Sequence, residues 1–150
     1  MNVRILLVDD EKPMVEMLRI FLAPIASLID EAQELRPALE MARTNNYNIV
    51  ILDLRLKSTG KEEALAAIGE FKRDKTSVVV VSGLPEPDLK QEVMDAGASA
   101  FVAKTSDHFP QALLVATNIA TLKLPHDSFH SRDYLGHVRL LEQLATSEHL

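Results

Sequence analysis

The chain contains no cysteine, so disulfide bonds, thiolate catalysis and cysteine-ligated zinc sites are excluded. It has no apolar run that approaches the length of a membrane-spanning segment. The first predicted strand begins within a few residues of the N-terminus, which leaves no room for a signal peptide. From these absences we expect a cytoplasmic protein with no membrane association.

Positive charge is also scarce, since 16 Lys and Arg face 22 Asp and Glu, giving a formal net charge of -6. A nucleic-acid-binding surface needs clustered basic residues, so we expect no direct nucleic acid binding. No glycine-rich phosphate loop follows any predicted strand, which argues against a nucleotide-binding fold. With 150 residues, 47% of them hydrophobic, the chain has the size and composition of one globular domain with its own core.

What the sequence does contain is a regular alternation of strand and helix patterns. Short apolar runs predict strands over residues 4–8, 27–31, 48–52, 77–81 and 100–103. Helical patterns cover residues 13–22, 34–46, 61–73, 88–97 and about 106–122. The second strand pattern is weak and is expected at a sheet edge. This order predicts an α/β fold, a parallel sheet with helices on both faces.

Acidic residues at two strand ends are the most informative feature. Asp9 and Asp10 follow the first strand, and Asp53 follows the third. Because neighbouring parallel strands end in one crevice, these three carboxylates should converge. They would repel one another, and a hard divalent cation with oxygen ligands, for which Mg²⁺ is the candidate, would hold them together. An acid pair at this place could also simply cap the next helix, which is an alternative explanation of Asp10.

Two later strands also end in polar residues, Ser82 after the fourth and Lys104 after the fifth. Alone, Ser82 is typical of a turn and Lys104 of a solvated surface. Beside a carboxylate-bound cation, however, a hydroxyl and an ammonium form a pocket for an anion such as a phosphoryl group. A carboxylate in that pocket can act as the nucleophile and form an acyl phosphate.

In these motifs the sequence resembles the receiver domains of two-component response regulators. The resemblance covers residues 1 to about 122 and depends on the segments 5–11, 48–54, 79–83 and 96–104. It implies a flavodoxin-like (βα)5 fold, a doubly wound five-stranded parallel sheet with strand order 2-1-3-4-5. The receiver domain would then span residues 1–123, followed by a C-terminal extension over 124–150.

The resemblance also implies roles for the acidic residues. Asp53 would accept a phosphoryl group from a phosphohistidine on a histidine kinase or histidine phosphotransfer protein. Asp9, Asp10, Asp53 and the backbone carbonyl of Arg55 would bind Mg²⁺. Self-phosphorylation and self-dephosphorylation would be the only catalysis, so we expect a signalling domain and not an enzyme.

The remaining implied roles concern the switch. Ser82 and Lys104 would contact the phosphoryl oxygens, with Lys104 as a charged donor. Phe101 would turn inward behind Ser82 and change the surface offered to a downstream protein, a two-state change biased by one modification.

Two loops depart from the pattern of the family. Thr105 follows Lys104 where the family usually has proline after a cis peptide bond, which is costly before any other residue. Lys57 also stands where proline is usual, and Gly60 comes one residue early. These departures favour an alternative, a receiver-like scaffold that is not phosphorylated and only binds other proteins. The intact set of reacting residues favours the phosphoacceptor.

A third hypothesis is a phosphatase with an aspartyl nucleophile. Haloacid-dehalogenase-like enzymes need a second aspartate two residues after the first, as a general acid. Here Arg55 occupies that place, and no insertion is large enough to cap a substrate.

The C-terminal extension carries one amphipathic helical pattern, formed by Tyr134, Val138, Leu141 and Ala145. This helix could pack on the domain itself, pair with a second copy in a homodimer, or begin a linker. Three of the four histidines in the extension, His126, His130 and His137, lie near one another, and their spacing fits no standard metal signature.

Overall fold

The computed structural model describes residues 3–83, 86–104 and 109–121. Three expectations lie outside the described residues and stay predictions: the conformation at Thr105, the start of the fifth helix, and the fate of residues 124–150 with their histidines.

Within that part of the chain, strands and helices alternate as predicted, with ends that coincide or differ by at most three residues. They are β1 Arg4–Val8, α1 Lys12–Leu22, β2 Leu28–Ala32, α2 Leu35–Thr44, β3 Ile49–Asp53, α3 Lys61–Arg73, β4 Ser77–Ser82, α4 Leu89–Asp95, β5 Ala100–Ala103 and α5 Phe109–Thr121. All strand pairs are parallel, and the order β2-β1-β3-β4-β5 confirms the predicted flavodoxin-like topology. No helix in the described ranges has the length and apolar character needed to cross a membrane.

The sheet separates two hydrophobic cores because successive side chains of a strand point to opposite faces. Ile5 and Leu7 of β1 pack toward α1 and α5. Leu6 and Val8 pack toward α2, α3 and α4. The central strand β3 is buried along its whole length, which explains its continuous apolar sequence. Two packed faces therefore hold the carboxyl ends of the strands in fixed relative positions.

The weak edge strand β2 is stabilised by its polar side chains. Asp30 accepts a hydrogen bond from the hydroxyl of Tyr47, and Glu31 forms an ion pair with Arg19 on α1 at 2.8 Å. Burial and the hydrogen bond to Asp30 raise the pKa of Tyr47 to about 12, so this hydroxyl remains a donor at neutral pH. These contacts explain why a segment with little β-character forms a strand at the edge of the sheet.

Helix α4 ends in a left-handed turn that directs the chain into β5. Gly97 has a φ of 113°, and its N–H donates to the carbonyl of Met94. The N–H of Ala98 reaches back to the carbonyl of Val93, which completes a Schellman motif. A Cβ atom on Gly97 would lie 3.2 Å from Cδ of Lys72. The turn therefore requires glycine, as the sequence predicted for the end of this helix.

Replacing Gly97 tests this turn, and Gly69 provides a matched control. We expect Gly97→Ala to lower the free energy of unfolding by about 1–2 kcal/mol, because L residues are strained at positive φ. Gly69 lies inside α3, where a Cβ would meet nothing within 4 Å. Gly69→Ala should therefore stabilise the protein by about 0.5–1 kcal/mol. Urea unfolding measures both effects, and equal stability of the two variants would contradict this account.

Candidate functional site

Three acidic side chains meet at the carboxyl ends of β1 and β3. These strands are neighbours in the sheet, and Val8 of β1 lies beside Leu52 of β3. Asp9 and Asp10 follow the first of them, and Asp53 ends the second. One carboxylate oxygen from each acid lies within 4.8 Å of the others. The predicted convergence of these three residues is thus present in the structure.

The side chain of Lys104 joins two of these acids. Its Nζ lies 3.2 Å from Oδ2 of Asp9 and 3.3 Å from Oδ2 of Asp53. Its backbone N–H donates to the carbonyl of Ser82 at 2.8 Å, which fixes the end of β5 against the end of β4. Asp9 and Asp53 are only 2% and 3% exposed. Two buried carboxylates therefore share one ammonium, which neutralises only one of their two charges.

The pKa values reflect this crowding. Burial raises the pKa of Asp9, and the nearby charge of Asp53 adds to the effect, although the Glu11 N–H and the Lys104 ammonium oppose it. Burial alone would lower the pKa of Lys104, but the carboxylates of Asp53 and Asp9 outweigh it and raise that pKa. Lys104 is therefore protonated at neutral pH.

The charge balance and the donor atoms of the cluster fit a divalent cation. When all three acids are ionised, a single ammonium leaves two negative charges uncompensated. The available donors are carboxylate oxygens. Mg²⁺ and Ca²⁺ prefer such oxygen ligands, whereas softer metals prefer nitrogen and sulfur ligands.

Backbone amides fix the two buried acids from nearby in the sequence. Oδ1 of Asp9 accepts a hydrogen bond from the N–H of Glu11 at 2.9 Å, and Oδ1 of Asp53 accepts one from the N–H of Arg55 at 3.0 Å. Each bond spans two residues, as in an Asx turn. In both acids this leaves Oδ2 facing Lys104.

Asp10 is held differently, and its interpretation as a helix cap is wrong. The N-cap of α1 is Glu11, which forms no side-chain capping bond among the described residues. Oδ2 of Asp10 instead accepts a hydrogen bond at 2.8 Å from the backbone N–H of Lys57, in the loop between β3 and α3. The side chain therefore turns toward the neighbouring loop and away from its own helix.

The other residues singled out in the sequence lie on, or directly after, strands β3, β4 and β5. Ser82 is buried at the end of β4, opposite Ala103 of β5. Phe101 is half-buried and packs against the core on the side of α2, α3 and α4. Arg55 exposes its side chain while its backbone N–H contacts Asp53. A role of the Arg55 carbonyl as a metal ligand stays a prediction.

One ionic contact beside the site could not be predicted from the sequence. Nζ of Lys61, at the start of α3, lies 3.3 Å from Glu86 and 3.0 Å from Glu92 of α4. Lys61 and Glu86 border a cavity of about 270 Å³ that Ser82 also lines. Partners separated by 25 and 31 positions leave no local pattern in a sequence.

The raised pKa of Asp9 predicts a stability change that depends on pH. The folded state binds this proton more tightly than the unfolded chain, whose ordinary pKa is 3.8. The resulting stabilisation is complete below that value and is lost as the pH rises through the folded-state pKa. In EDTA at pH 7 we therefore expect Asp9→Asn to stabilise the protein by about 1 kcal/mol, since the buried charge is gone.

Urea unfolding of Asp9→Asn at pH 7 and at pH 3.5 measures this difference, and the gain should shrink at the lower pH. Glu16→Gln removes an exposed acid on α1 and should change stability by less than about 0.5 kcal/mol. A variant at position 9 that is less stable than the parent at pH 7 would contradict the electrostatic account.

Comparison with known solved structures shows the same fold. A two-component response regulator of the LuxR family from Aurantimonas sp. SI85-9A1 is 26% identical with a TM-score of 0.71, covering 82% of this chain and 87% of that one. The receiver domain of Francisella response regulator 1452 is 20% identical with a TM-score of 0.69, covering 81% and 98%.

Comparison with known sequences identifies the family. The transcriptional regulatory protein SrrA of Staphylococcus aureus is 29% identical over 104 residues, which are 69% of this chain and 42% of the relative. The chain thus spans less than half the length of the curated relatives it matches. A family model described as the response regulator receiver domain matches residues 5–116. This match covers most of the chain, and the protein belongs to the response regulator receiver domain family.

Proposed function

We propose that this receiver domain is a phosphoacceptor switch in which Asp53 accepts a phosphoryl group in the presence of Mg²⁺. The observation that carries the proposal is the position of Lys104, whose Nζ is 3.3 Å from Asp53 within a cluster of three acids. The donor would be a phosphohistidine on a histidine kinase or histidine phosphotransfer protein. The proposal places this exchange in the cytoplasm.

The transfer uses the Asp53 carboxylate as nucleophile. A new bond forms between a carboxylate oxygen and phosphorus, while the bond from phosphorus to the donor imidazole nitrogen breaks and its electron pair stays on that nitrogen. The Arg55 N–H holds Oδ1 of Asp53 and thereby orients the carboxylate. Lys104 supplies a fixed positive charge beside Oδ2, where negative phosphoryl oxygens would arrive.

Binding of the cation is assigned to Asp9, Asp10, Asp53 and the backbone carbonyl of Arg55. The oxygen donors and the uncompensated negative charge of the cluster support this assignment. Bound Mg²⁺ would neutralise charge on the transferred phosphoryl group.

The switch is assigned to Ser82 and Phe101. In the register of β4 and β5, Val80 lies beside Phe101 and Ser82 beside Ala103. Because side chains two apart share a face, Ser82 and Phe101 border the same side of the sheet. A shift of the Ser82 hydroxyl toward a phosphoryl group would leave space that the half-buried Phe101 can fill. The surface of α4, β5 and α5 would then change for a downstream protein.

The phosphoacceptor role predicts one covalent adduct. Incubation with acetyl phosphate and Mg²⁺, followed by intact-mass spectrometry, should add a single phosphoryl group to the parent. Asp53→Asn should add none, because the amide is not a nucleophile, and EDTA should abolish the adduct. Lys104→Met should slow its formation by roughly a hundredfold, because the charge at the phosphoryl oxygens is lost.

Two results would contradict this role. An adduct that persists in Asp53→Asn would place the phosphoryl group on another residue. The absence of any adduct in the parent at saturating Mg²⁺ and short sampling times would favour the scaffold that only binds other proteins.

A further inference from the structure

Asp10 differs from the other two acids in how it is held. Asp9 and Asp53 each accept a hydrogen bond from the backbone N–H two residues further along the chain, and each contacts Lys104. In the described part of the chain, the hydrogen bond to the Asp10 carboxylate comes from Lys57, 47 positions away. Asp10 is also more exposed than the other two. Its position therefore depends on a different loop.

That loop is anchored so that it can hold the carboxylate. Leu54 and Leu56 are only 5% and 3% exposed and belong to the core beneath α2 and α3. The N–H of Thr59 donates to the carbonyl of Leu56, which closes a turn around Lys57. The side chain of Lys57 is exposed, so its backbone N–H, and not its ammonium, makes the contact.

Without this bond, rotation of the Asp10 carboxylate out of the cluster would be favourable. It lies beside two like charges, and rotation into water would relieve the repulsion and restore side-chain freedom. With the bond, its oxygen stays within 4.8 Å of oxygens from the other two acids. Oxygens bound to one Mg²⁺ ion are about 3.0 Å apart when adjacent and about 4.2 Å apart when opposite, so the three acids need to move together by less than about 2 Å to share an ion.

We propose that Lys57 is a positioning residue for the cation, acting through its backbone N–H. The bond to Asp10 holds the third carboxylate in the cluster before the cation arrives. Cation binding then does not have to order this side chain or bring it toward the other two negative charges. This inference rests on the proposed function, which assigns the cation to these acids. Proline at this position would have no N–H and could not make the bond.

Two variants separate the effect of the Lys57 backbone N–H from that of its side chain. Lys57→Pro and Lys57→Ala both remove the ammonium, but only the first removes the backbone donor. Titration calorimetry with Mg²⁺ should give a Kd roughly tenfold weaker for Lys57→Pro than for Lys57→Ala. Lys57→Ala should stay within about threefold of the parent, since its exposed charge is screened by salt. Equal affinity of the two variants, or tighter binding by Lys57→Pro, would overturn the proposal.

A backbone amide-to-ester replacement at Lys57 tests the same bond without constraining φ, and it keeps the lysine side chain. It should weaken Mg²⁺ binding as Lys57→Pro does. An ester protein that binds Mg²⁺ as tightly as the parent would overturn the proposal, even where the proline variant fails to fold. If the parent itself binds no Mg²⁺, both the proposed function and this inference fail. If the parent binds and the ester has no effect, only the positioning role fails.

Discussion

Repulsion among three carboxylates at one edge of the sheet is the constraint on which the site depends. Asp9 and Asp53 are almost fully buried, and one ammonium, that of Lys104, lies between them. The fold creates this crowding because β1, β3 and β5 all end at the same edge. It can sustain the crowding because hydrophobic cores on both faces hold those strand ends in place. The site is therefore a locally unfavourable arrangement supported by the rest of the domain.

Each acid is held by a contact of its own, and these contacts link the loops around the site. Backbone amides two residues away orient Asp9 and Asp53, while the loop after β3 holds Asp10 through Lys57. Lys104 is fixed by the end of β4 through the carbonyl of Ser82. A change of charge at Asp53 would thus act on every loop that borders the cluster. Such coupling is what a switch needs, since a local modification must alter a surface at a distance.

Sequence patterns were sufficient to predict the fold and to bring together the principal site residues. Strands and helices have characteristic periodicities, and parallel strands place the residues after Val8 and Leu52 at one edge. Asp10 was open to misinterpretation as a helix cap because a sequence does not show which amide lies nearby. The contacts of Lys57 with Asp10 and of Lys61 with Glu86 and Glu92 depend on how distant segments pack, and the partners are 25 to 47 positions apart. Neither periodicity nor strand order encodes such contacts.

The central claim is that this cluster holds a cation and a phosphoryl group on Asp53 together. The most direct test is a crystal structure of the protein with Mg²⁺ and beryllofluoride, which mimics an aspartyl phosphate. We expect beryllium bound to a carboxylate oxygen of Asp53, a fluorine within hydrogen-bond distance of Lys104 Nζ, and the cation among Asp9, Asp10 and Asp53. Beryllofluoride absent from Asp53, or a cation bound away from these three acids, would contradict it.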